Sequence, residues 1–195
     1  MNGQSKGWKQ ASFAAVIERD GCEYPVNSKG SGLYLPIIHA GIDQFHVCLK
    51  RWRRVFGLRV DLRQPYYSDD SKRISRFRKN LARRLERSHG VRDLAYLWAR
   101  EQERAKSQHY HLILMLDGDL VRSSNALWPM IRETWQHVAP GGSVHFPKGG
   151  HYFVRHDDDK ARREFVWRMS YLSKCRGKGY RPPASNDYSA SRLTG

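Results

Sequence analysis

The amino-acid sequence predicts an α+β fold, built on a central antiparallel β-sheet with split β-α-β (ferredoxin-like or RRM-like) topology and helices packed on one face. Segments with the two-residue period of a strand and segments with the 3.6-residue period of a helix follow one another in the order β-α-β-β-α-β-α. A four-residue loop joins the two consecutive strands, which predicts a hairpin. A hairpin between two helices is typical of the split β-α-β arrangement, whose other sheet face can stay open to a ligand.

The first half of this pattern follows an N-terminal arm. Residues 1–32 are rich in Gly, Ser, Lys and Asn, and we expect them to be loosely ordered. Apolar residues at helical spacing predict an amphipathic helix over residues 35–54, with the core beginning after it. Alternating apolar and charged residues predict a strand at 57–65, and residues 68–90 predict a very basic helix that stops at a glycine.

The second half contains the hairpin. Residues 93–103 and 108–119 predict its two strands, and residues 125–138 predict a helix. Residues 151–156 predict a further strand. The last helix is expected over residues 157–179, starting with three aspartates and loosening at its glycines.

The charge of the chain indicates a polyanionic partner. The 195 residues include 35 Lys and Arg against 19 Asp and Glu, a formal net charge of +16. No apolar run approaches the roughly 18 residues of a transmembrane helix, the N-terminus lacks the apolar core of a signal peptide, and the three cysteines are scattered. We therefore expect a cytoplasmic protein that does not enter a membrane.

Two histidines in one predicted strand are spaced for a metal site. His109 and His111 are two residues apart and so point to the same face, while Tyr110 points to the other. Glu101 lies across the short hairpin and completes a three-ligand set; Glu103 has the same parity and is the second choice. Such a set with open coordination positions suits Mg²⁺ or Mn²⁺. The alternative is a pair of ordinary hydrogen-bonded histidines.

A tyrosine and a lysine in the last predicted helix form a second candidate. Tyr171 and Lys174 are three residues apart, so they share a helical face, and a nearby cation can activate a phenol as a nucleophile. The alternative is a core aromatic beside a surface lysine. Tyr180 and Tyr188 are other possible nucleophiles, but they lack this lysine and lie in a Gly/Pro/Ser-rich tail.

Basic residues form two clusters that suit phosphate contacts. They are Lys50, Arg51, Arg53 and Arg54 in the first cluster and Arg73, Arg76, Arg78, Arg83, Arg84 and Arg87 in the second. A solvated charged helix face is the alternative, and the better one for any single arginine. Asp61 can assist the metal or pair with Arg59 or Arg63, and we favour pairing. Four tryptophans are expected in the core rather than as base-stacking platforms: Trp98, Trp128, Trp135 and Trp167.

Glu101, the His109-Tyr-His111 motif and the Tyr171-x-x-Lys174 motif together resemble the HUH endonuclease superfamily. In that superfamily a His-hydrophobic-His pair binds a divalent metal and a tyrosine attacks DNA, and replication initiators have the histidines before the Tyr-x-x-Lys helix, as here. The match is tighter to inovirus-type replication initiators of filamentous phages and prophages, also described as the YagK/YfjJ C-terminal domain. This resemblance runs from about residue 55 to 192 and rests on the segments VDLRQP, LWAREQ, HYHLILMLDGD, SYLSKCRGK and SASR.

The resemblance implies an HUH-type nuclease domain over residues 51–180, with an N-terminal part (1–50) of unassigned function and a C-terminal tail (181–195). It implies a site-specific single-stranded DNA endonuclease and strand transferase that initiates rolling-circle replication through a metal-assisted 5′-phosphotyrosine intermediate. Tyr171 would be the nucleophile and Lys174 its helper, with metal ligands as above. The partner would be single-stranded DNA or an origin hairpin; a host helicase and the oligomeric state stay open. The alternative is a non-catalytic DNA-binding regulator that retains the fold.

Overall fold

In the computed structural model, residues 11–102, 107–179 and 182–194 are described, and an antiparallel sheet is their central element. The strands are β1 (Ala11–Ser12), β2 (Val16–Arg19), β3 (Cys22–Pro25), β4 (Leu33–Tyr34), β5 (Arg54–Arg63), β6 (Ala95–Glu101), β7 (His109–Asp117), β8 (Ser143–His145), β9 (His151–Arg155) and β10 (Tyr188–Ala190). The α-helices are α1 (Leu35–Arg51), α2 (Lys72–His89), α3 (Leu127–Val138) and α4 (Asp159–Ser170). The predicted α+β class is therefore confirmed.

The large sheet has the strand order β10-β6-β7-β5-β8, and β9 pairs with the other half of β5. All of its strand pairs are antiparallel, and β6 and β7 form the expected hairpin. β5 pairs with β7 along one side, and on its other side β8 pairs with its last three residues and β9 with its first five. Two further pairs, β1 with β4 and β2 with β3, make small sheets near the N-terminus.

Helices cover both faces of the large sheet, so the expectation of helices on one face is wrong. Ile113 and Met115 of β7 point into a core shared with α1 and α4, while Leu112 and Leu114 point into a second core shared with α2 and α3. The physical reason is the run of consecutive apolar residues in β7. A strand that is apolar at every position has two faces to remove from water.

The first helix is part of the core, contrary to the expectation that the core begins after it. Buried residues of α1, among them Ile38, Ile42 and Phe45, pack with the sheet and α4. The helix also ends three residues earlier than predicted, because Arg54 already begins β5. Residues 11–34 contribute four short strands and buried side chains such as Tyr24 and Leu33, rather than a loosely ordered arm.

The basic helix α2 forms as predicted. Its apolar residues Ile74, Phe77, Leu81 and Leu85 recur at helical spacing and are buried. It ends at Gly90, whose φ of 68° lies in the left-handed region that glycine adopts without strain.

The last helix is shorter than predicted. The Asp158 carboxylate accepts a hydrogen bond from the Ala161 backbone N–H and caps the start of α4. The helix ends at Ser170, and residues 171–173 form a single 3-10 turn. Lys174 then bridges to Leu33 in an isolated antiparallel pair, because the N-terminal segment lies against this turn. Within the described segments no helix combines the length and the apolar character needed to cross a membrane.

Candidate active site

Strand register brings the predicted metal ligands together on one face of the sheet, here called the site face. Glu101 of β6 lies opposite His109 of β7, and Asp61 of β5 lies opposite His111. Tyr110, between the histidines, is fully buried in the core on the opposite face. The helices α1 and α4 cover the apolar end of the site face, and the polar residues lie beyond them.

Glu101, His109 and His111 form a compact set, here called the His–Glu cluster. Each offers one ligand atom, and these atoms all lie within 4.8 Å of one another. Glu103, the second-choice ligand, lies outside the described residues, as does Tyr180.

His111 is buried between two carboxylates. Its Nδ1 lies 2.7 Å from Asp61 Oδ1, and its Nε2 lies 3.0 Å from Glu101 Oε2. Asp61 also contacts the buried guanidinium of Arg59 at 3.3 Å and His145 Nδ1 at 3.5 Å. The expected pairing of Asp61 with Arg59 is thus present, and Asp61 in addition fixes the orientation of His111.

The carboxylates and imidazoles shift one another's proton affinities. Burial lowers the pKa of His111, but hydrogen bonds to Asp61 and Glu101 outweigh it, so its pKa lies above the ordinary value. Burial raises the pKa of Asp61, but the hydrogen bond from His111 and the charges of His111 and Arg59 lower it to about 2. For Glu101, the same competition between burial and His111 leaves the pKa below its usual value. Burial and the neighbouring His111 lower the pKa of His109.

The cluster can accommodate a divalent cation. Two ligand atoms bonded at about 2.1 Å and at right angles are about 3.0 Å apart, which matches the separation of His111 Nε2 and Glu101 Oε2. With Nδ1–H donating to Asp61, a neutral His111 presents the Nε2 lone pair toward Glu101 and His109. A carboxylate that holds a ligating histidine in this way is a frequent feature of metal sites. Imidazole and carboxylate groups also form such hydrogen-bonded clusters without a metal.

Tyr171 lies against this cluster although it is 60 residues farther along the chain than His111. Its ring packs edge-to-face on the His111 ring with centroids 5.1 Å apart, and the Arg59 guanidinium lies 4.0 Å from the centre of the Tyr171 ring. The residue is 38% exposed, so it lies at the protein surface. The structure therefore brings the predicted nucleophile and the predicted ligands together.

Lys174 makes its contacts elsewhere. Its ammonium donates to Asn27 Oδ1 at 3.0 Å and to the Lys29 carbonyl. The prediction that Lys174 shares a helical face with Tyr171 is wrong in its premise, because α4 ends at Ser170. Lys174 instead fastens the turn that carries Tyr171 to the N-terminal segment.

Sequence reasoning gave Arg59 only as a possible partner of Asp61, without a contact to Tyr171, and it missed Lys178. Arg59 has the strand parity of Asp61, and that parity was the available signal for its place at the site. Lys178 is buried, donates to the Lys174 carbonyl at 2.6 Å and interacts electrostatically with Glu101. Burial lowers the pKa of Lys178 to about 8. A lysine in a Gly-rich segment carries no pattern that reveals such burial.

The basic helix α2 lies on the sheet face opposite the His–Glu cluster. Of its arginines, Arg73 donates to Gln64 and Arg84 to Glu133 and Thr134, while Arg76, Arg83 and Arg87 are exposed. The structure does not bring this cluster to the candidate site.

The first basic cluster lies toward the other end of β5. Arg51 pairs with Asp93, and Arg53 and Arg54 pair with Asp119, whereas Lys50 is exposed. From Arg54 to Asp61 the strand advances seven residues, about 23 Å. The phosphate contacts assigned to both basic clusters therefore stay predictions, and they concern surfaces away from the His–Glu cluster.

Comparison with known proteins agrees with part of the predicted resemblance. The family described as "YagK/YfjJ C-terminal domain" matches residues 22–186. Residues 22–50, which we expected to lie outside the match, lie within it, and α1 belongs to the same core. The match ends at residue 186, so it does not include the SASR segment at residues 189–192. The chain is 27% identical over 160 aligned positions to "Uncharacterized protein YfjJ" of Escherichia coli (strain K12), covering 62% of this chain and 77% of that protein. No solved structure matches it. The chain belongs to the YagK/YfjJ C-terminal domain family.

Proposed function

We propose that this protein is an HUH-type single-stranded DNA endonuclease and strand transferase that initiates rolling-circle replication. The observation that carries the proposal is the contact between the Tyr171 ring and His111 of the His–Glu cluster. A partly exposed tyrosine beside a set of metal-ligating side chains is the arrangement that phosphodiester attack requires. The net charge of +16 suits a polyanionic substrate.

The strand order supports the same fold proposal. β7 lies between β5 and β6, and β9 pairs with the other side of β5. This order suits the split β-α-β arrangement of HUH-type domains, with α2 as the crossover between β5 and β6. The site face then corresponds to the ligand face of the sheet.

Each side chain of the site has a role in this proposal. Glu101, His109 and His111 would hold Mg²⁺ or Mn²⁺, which when bound would supply Lewis-acid polarisation of the scissile phosphate. Asp61 holds His111 in the tautomer that turns Nε2 toward the ligand set. Arg59 holds the Tyr171 ring and places a positive charge beside the developing anion.

The reaction conserves the number of phosphodiester bonds. The Tyr171 phenol loses its proton to solvent, and its oxygen forms a bond to phosphorus while the bond from phosphorus to the 3′ oxygen breaks. The 3′ oxygen takes a proton and leaves as a 3′-OH, and the 5′ phosphate stays on Tyr171. Attack by a 3′-OH on this phosphotyrosine reverses the step and joins a strand, so no nucleotide cofactor is consumed.

The test is adduct formation with labelled single-stranded DNA from the protein's own replicon, with Mn²⁺ or with EDTA, on a denaturing gel. We expect a covalent adduct that requires the metal and is absent in Tyr171→Phe. Tyr188→Phe is the matched control, because Tyr188 is a partly buried tyrosine of the edge strand β10 and should leave the adduct unchanged.

Two outcomes would contradict the proposal. An adduct that survives Tyr171→Phe would place the nucleophile elsewhere. Binding without any adduct, across oligonucleotides tiled along the replicon and with both metals, would favour the alternative function, a DNA-binding regulator that does not cleave.

A further inference from the structure

A cleft of about 450 Å³ opens at the edge of the sheet next to the candidate site. β8 and β9 pair with different halves of β5, and residues 146–150 connect them across the gap. The cleft lies at this gap, between the connecting residues and α3. Its lining residues are Leu58, Arg59, Trp128, Arg132, Val144, His145, Phe146, Pro147, Lys148, Gly149, Gly150 and His151.

The lining of this cleft combines aromatic rings with positive charge. The Trp128 and Phe146 rings lie 5.5 Å apart with planes tilted by 33°, and both residues are partly exposed. The Arg132 guanidinium lies 5.5 Å from the centre of the Phe146 ring. The cleft also has Arg59 and Lys148 in its wall, and no carboxylate occurs among the described residues that line it. The expected core position is confirmed for Trp98 and Trp135 but is wrong for Trp128, which is partly exposed, and for Trp167, which is 44% exposed.

The indole of Trp128 carries a further signal. Its N–H is buried and has no hydrogen-bond partner among the described residues. A buried donor without an acceptor costs free energy, so a residue in the wall of the cleft holds an unsatisfied polar group.

The cleft is directly connected to the candidate site. Arg59 contributes to its wall and also holds the Tyr171 ring. His145 lines the cleft and lies 3.5 Å from Asp61, the carboxylate that orients His111. The cleft and the candidate site therefore share Arg59 and meet at the contact between His145 and Asp61.

We propose that this cleft binds one nucleobase of single-stranded DNA next to the scissile phosphate, with the base on Trp128 and Phe146 and its backbone phosphate on Lys148 and Arg132. Aromatic platforms beside cations are how proteins hold single strands, because each base offers a π-face and each nucleotide one negative charge. Paired bases in a duplex do not expose these faces. The inference rests on the proposed function for its place in the reaction, but binding is measurable without cleavage.

The experiment uses the full chain carrying Tyr171→Phe, so that no cleavage interferes. The probe is an oligodeoxythymidylate of about 20 nucleotides with 5-iodouracil substitutions, crosslinked by light and mapped by mass spectrometry of peptides. We expect crosslinks at Trp128 or Phe146. Fluorescence anisotropy with the unmodified probe should show that Phe146→Leu weakens binding by roughly tenfold.

The matched control is Phe153→Leu. Like Phe146, Phe153 has an arginine, Arg54, 5.5 Å from its ring centre, but it is an exposed residue of β9 outside the cleft. Its replacement should leave the dissociation constant unchanged. Lys148→Ala is a second variant that changes an exposed side chain and preserves the core; it should weaken binding, and Lys160→Ala on the exposed surface of α4 should not.

The outcomes separate this inference from the proposed function. Crosslinks in the cleft with no covalent adduct in the wild type would support nucleobase binding in the cleft and contradict the proposed endonuclease activity. The opposite outcome is an adduct in the wild type with crosslinks that map elsewhere, while Phe146→Leu and Lys148→Ala behave like their controls. It would contradict nucleobase binding in the cleft and support the endonuclease activity.

Discussion

At the scale of single residues, His111 is the centre of the candidate site. It is buried, it lies between Asp61 and Glu101, and the Tyr171 ring packs on it. Proton and metal compete for the same Nε2 position, since Nδ1 is held by Asp61 in either case. The charge state of His111 therefore links metal binding to stability.

The first prediction concerns the pH dependence of stability without metal. Because the pKa of His111 is raised in the folded state, its pairing stabilises the fold at pH values below the unfolded pKa of 6.5. This stabilisation is lost as pH rises through the folded pKa. Asp61, whose pKa is lowered to about 2, stabilises the fold at pH values above its unfolded pKa of 3.8. This stabilisation is lost as pH falls through the folded pKa. In EDTA, the difference in Tm between wild type and Asp61→Asn should be largest between pH 3.8 and pH 6.5 and should shrink both below and above this window.

Thermal unfolding followed by circular dichroism at a series of pH values measures this difference. Asp93→Asn is a suitable control, because Asp93 pairs with Arg51 far from the cluster and should give no such maximum. A difference between wild type and Asp61→Asn that is constant with pH would contradict the linkage.

The second prediction separates the roles of two cations. Arg59 lies over the Tyr171 ring, whereas the Lys174 ammonium is bonded to Asn27 and Lys29. Arg59→Met should slow adduct formation by about 100-fold, in the range for loss of an electrostatic group at a reacting centre. Lys174→Met should slow it by less than about tenfold, because it loosens the turn without removing the charge at Tyr171.

Single-turnover rates at saturating DNA test this prediction, and circular dichroism checks that both variants fold. The reverse ranking, with Lys174→Met the more damaging change, would restore the helper role that the Tyr-x-x-Lys motif implies.

At the scale of elements, α4 determines where Tyr171 lies. The Phe165 side chain of α4 packs directly over Gly57 of β5, where an added Cβ would come within 2.3 Å of the Phe165 ring. The absence of a side chain at Gly57 lets the helix approach the strand closely. The 3-10 turn that follows α4 then extends to the end of the site face that holds the His–Glu cluster.

The third prediction tests this close approach. Gly57→Ala should lower the free energy of unfolding by about 1–3 kcal/mol, the usual cost of overpacking, and should also slow adduct formation because α4 moves. Urea unfolding measures the first effect. Gly57→Ala combined with Phe165→Leu should destabilise less than the sum of the two single changes, because the smaller side chain makes room for the methyl group. Simple additivity would show that the two residues are not coupled.

At the scale of the whole molecule, the cluster and the basic helix α2 occupy opposite faces of one sheet. A strand bound at the cluster reaches α2 only by passing around a sheet edge, and the cleft lined by Trp128 and Phe146 lies at such an edge. Long and short single strands should therefore depend on different residues.

The fourth prediction follows from this separation. Replacing the three exposed arginines Arg76, Arg83 and Arg87 by glutamine should leave the affinity for an oligonucleotide of about eight nucleotides unchanged. For one of about 30 nucleotides it should weaken binding and reduce the salt slope, log Kd against log salt, by about 2. Anisotropy titrations at several salt concentrations test this. An equal loss for both lengths would place α2 close to the scissile phosphate.

Local sequence patterns predicted the hairpin of β6 and β7, the strand β5, and the three residues of the His–Glu cluster. Strand parity correctly put His109 and His111 on one face, Tyr110 on the other, and Asp61 on the face of Arg59 and Arg63, of which the structure pairs it with Arg59. These predictions hold because side-chain direction in a strand repeats every two residues. Helix α2 and its stop at Gly90 were predictable for a similar reason, since its apolar spacing and its terminal glycine are local signals.

The local pattern failed where distant segments compete for the same chain. The Tyr-x-x-Lys spacing predicted one continuous helix, but the N-terminal segment pairs with Lys174 and the helix ends before Tyr171. The tail after residue 180 likewise forms an edge strand, β10, because β6 offers it free backbone groups.

The sequence by itself determined which residues share a face of a strand, the family, and the chemistry of the candidate ligands, because these depend on residue type and a fixed short period. Only the tertiary structure decided that Tyr171 packs on His111, that Arg59 rather than Lys174 is the cation beside Tyr171, and that helices cover both faces of the sheet. Those features depend on strand register and helix docking, which are set by the burial of side chains far apart in the chain.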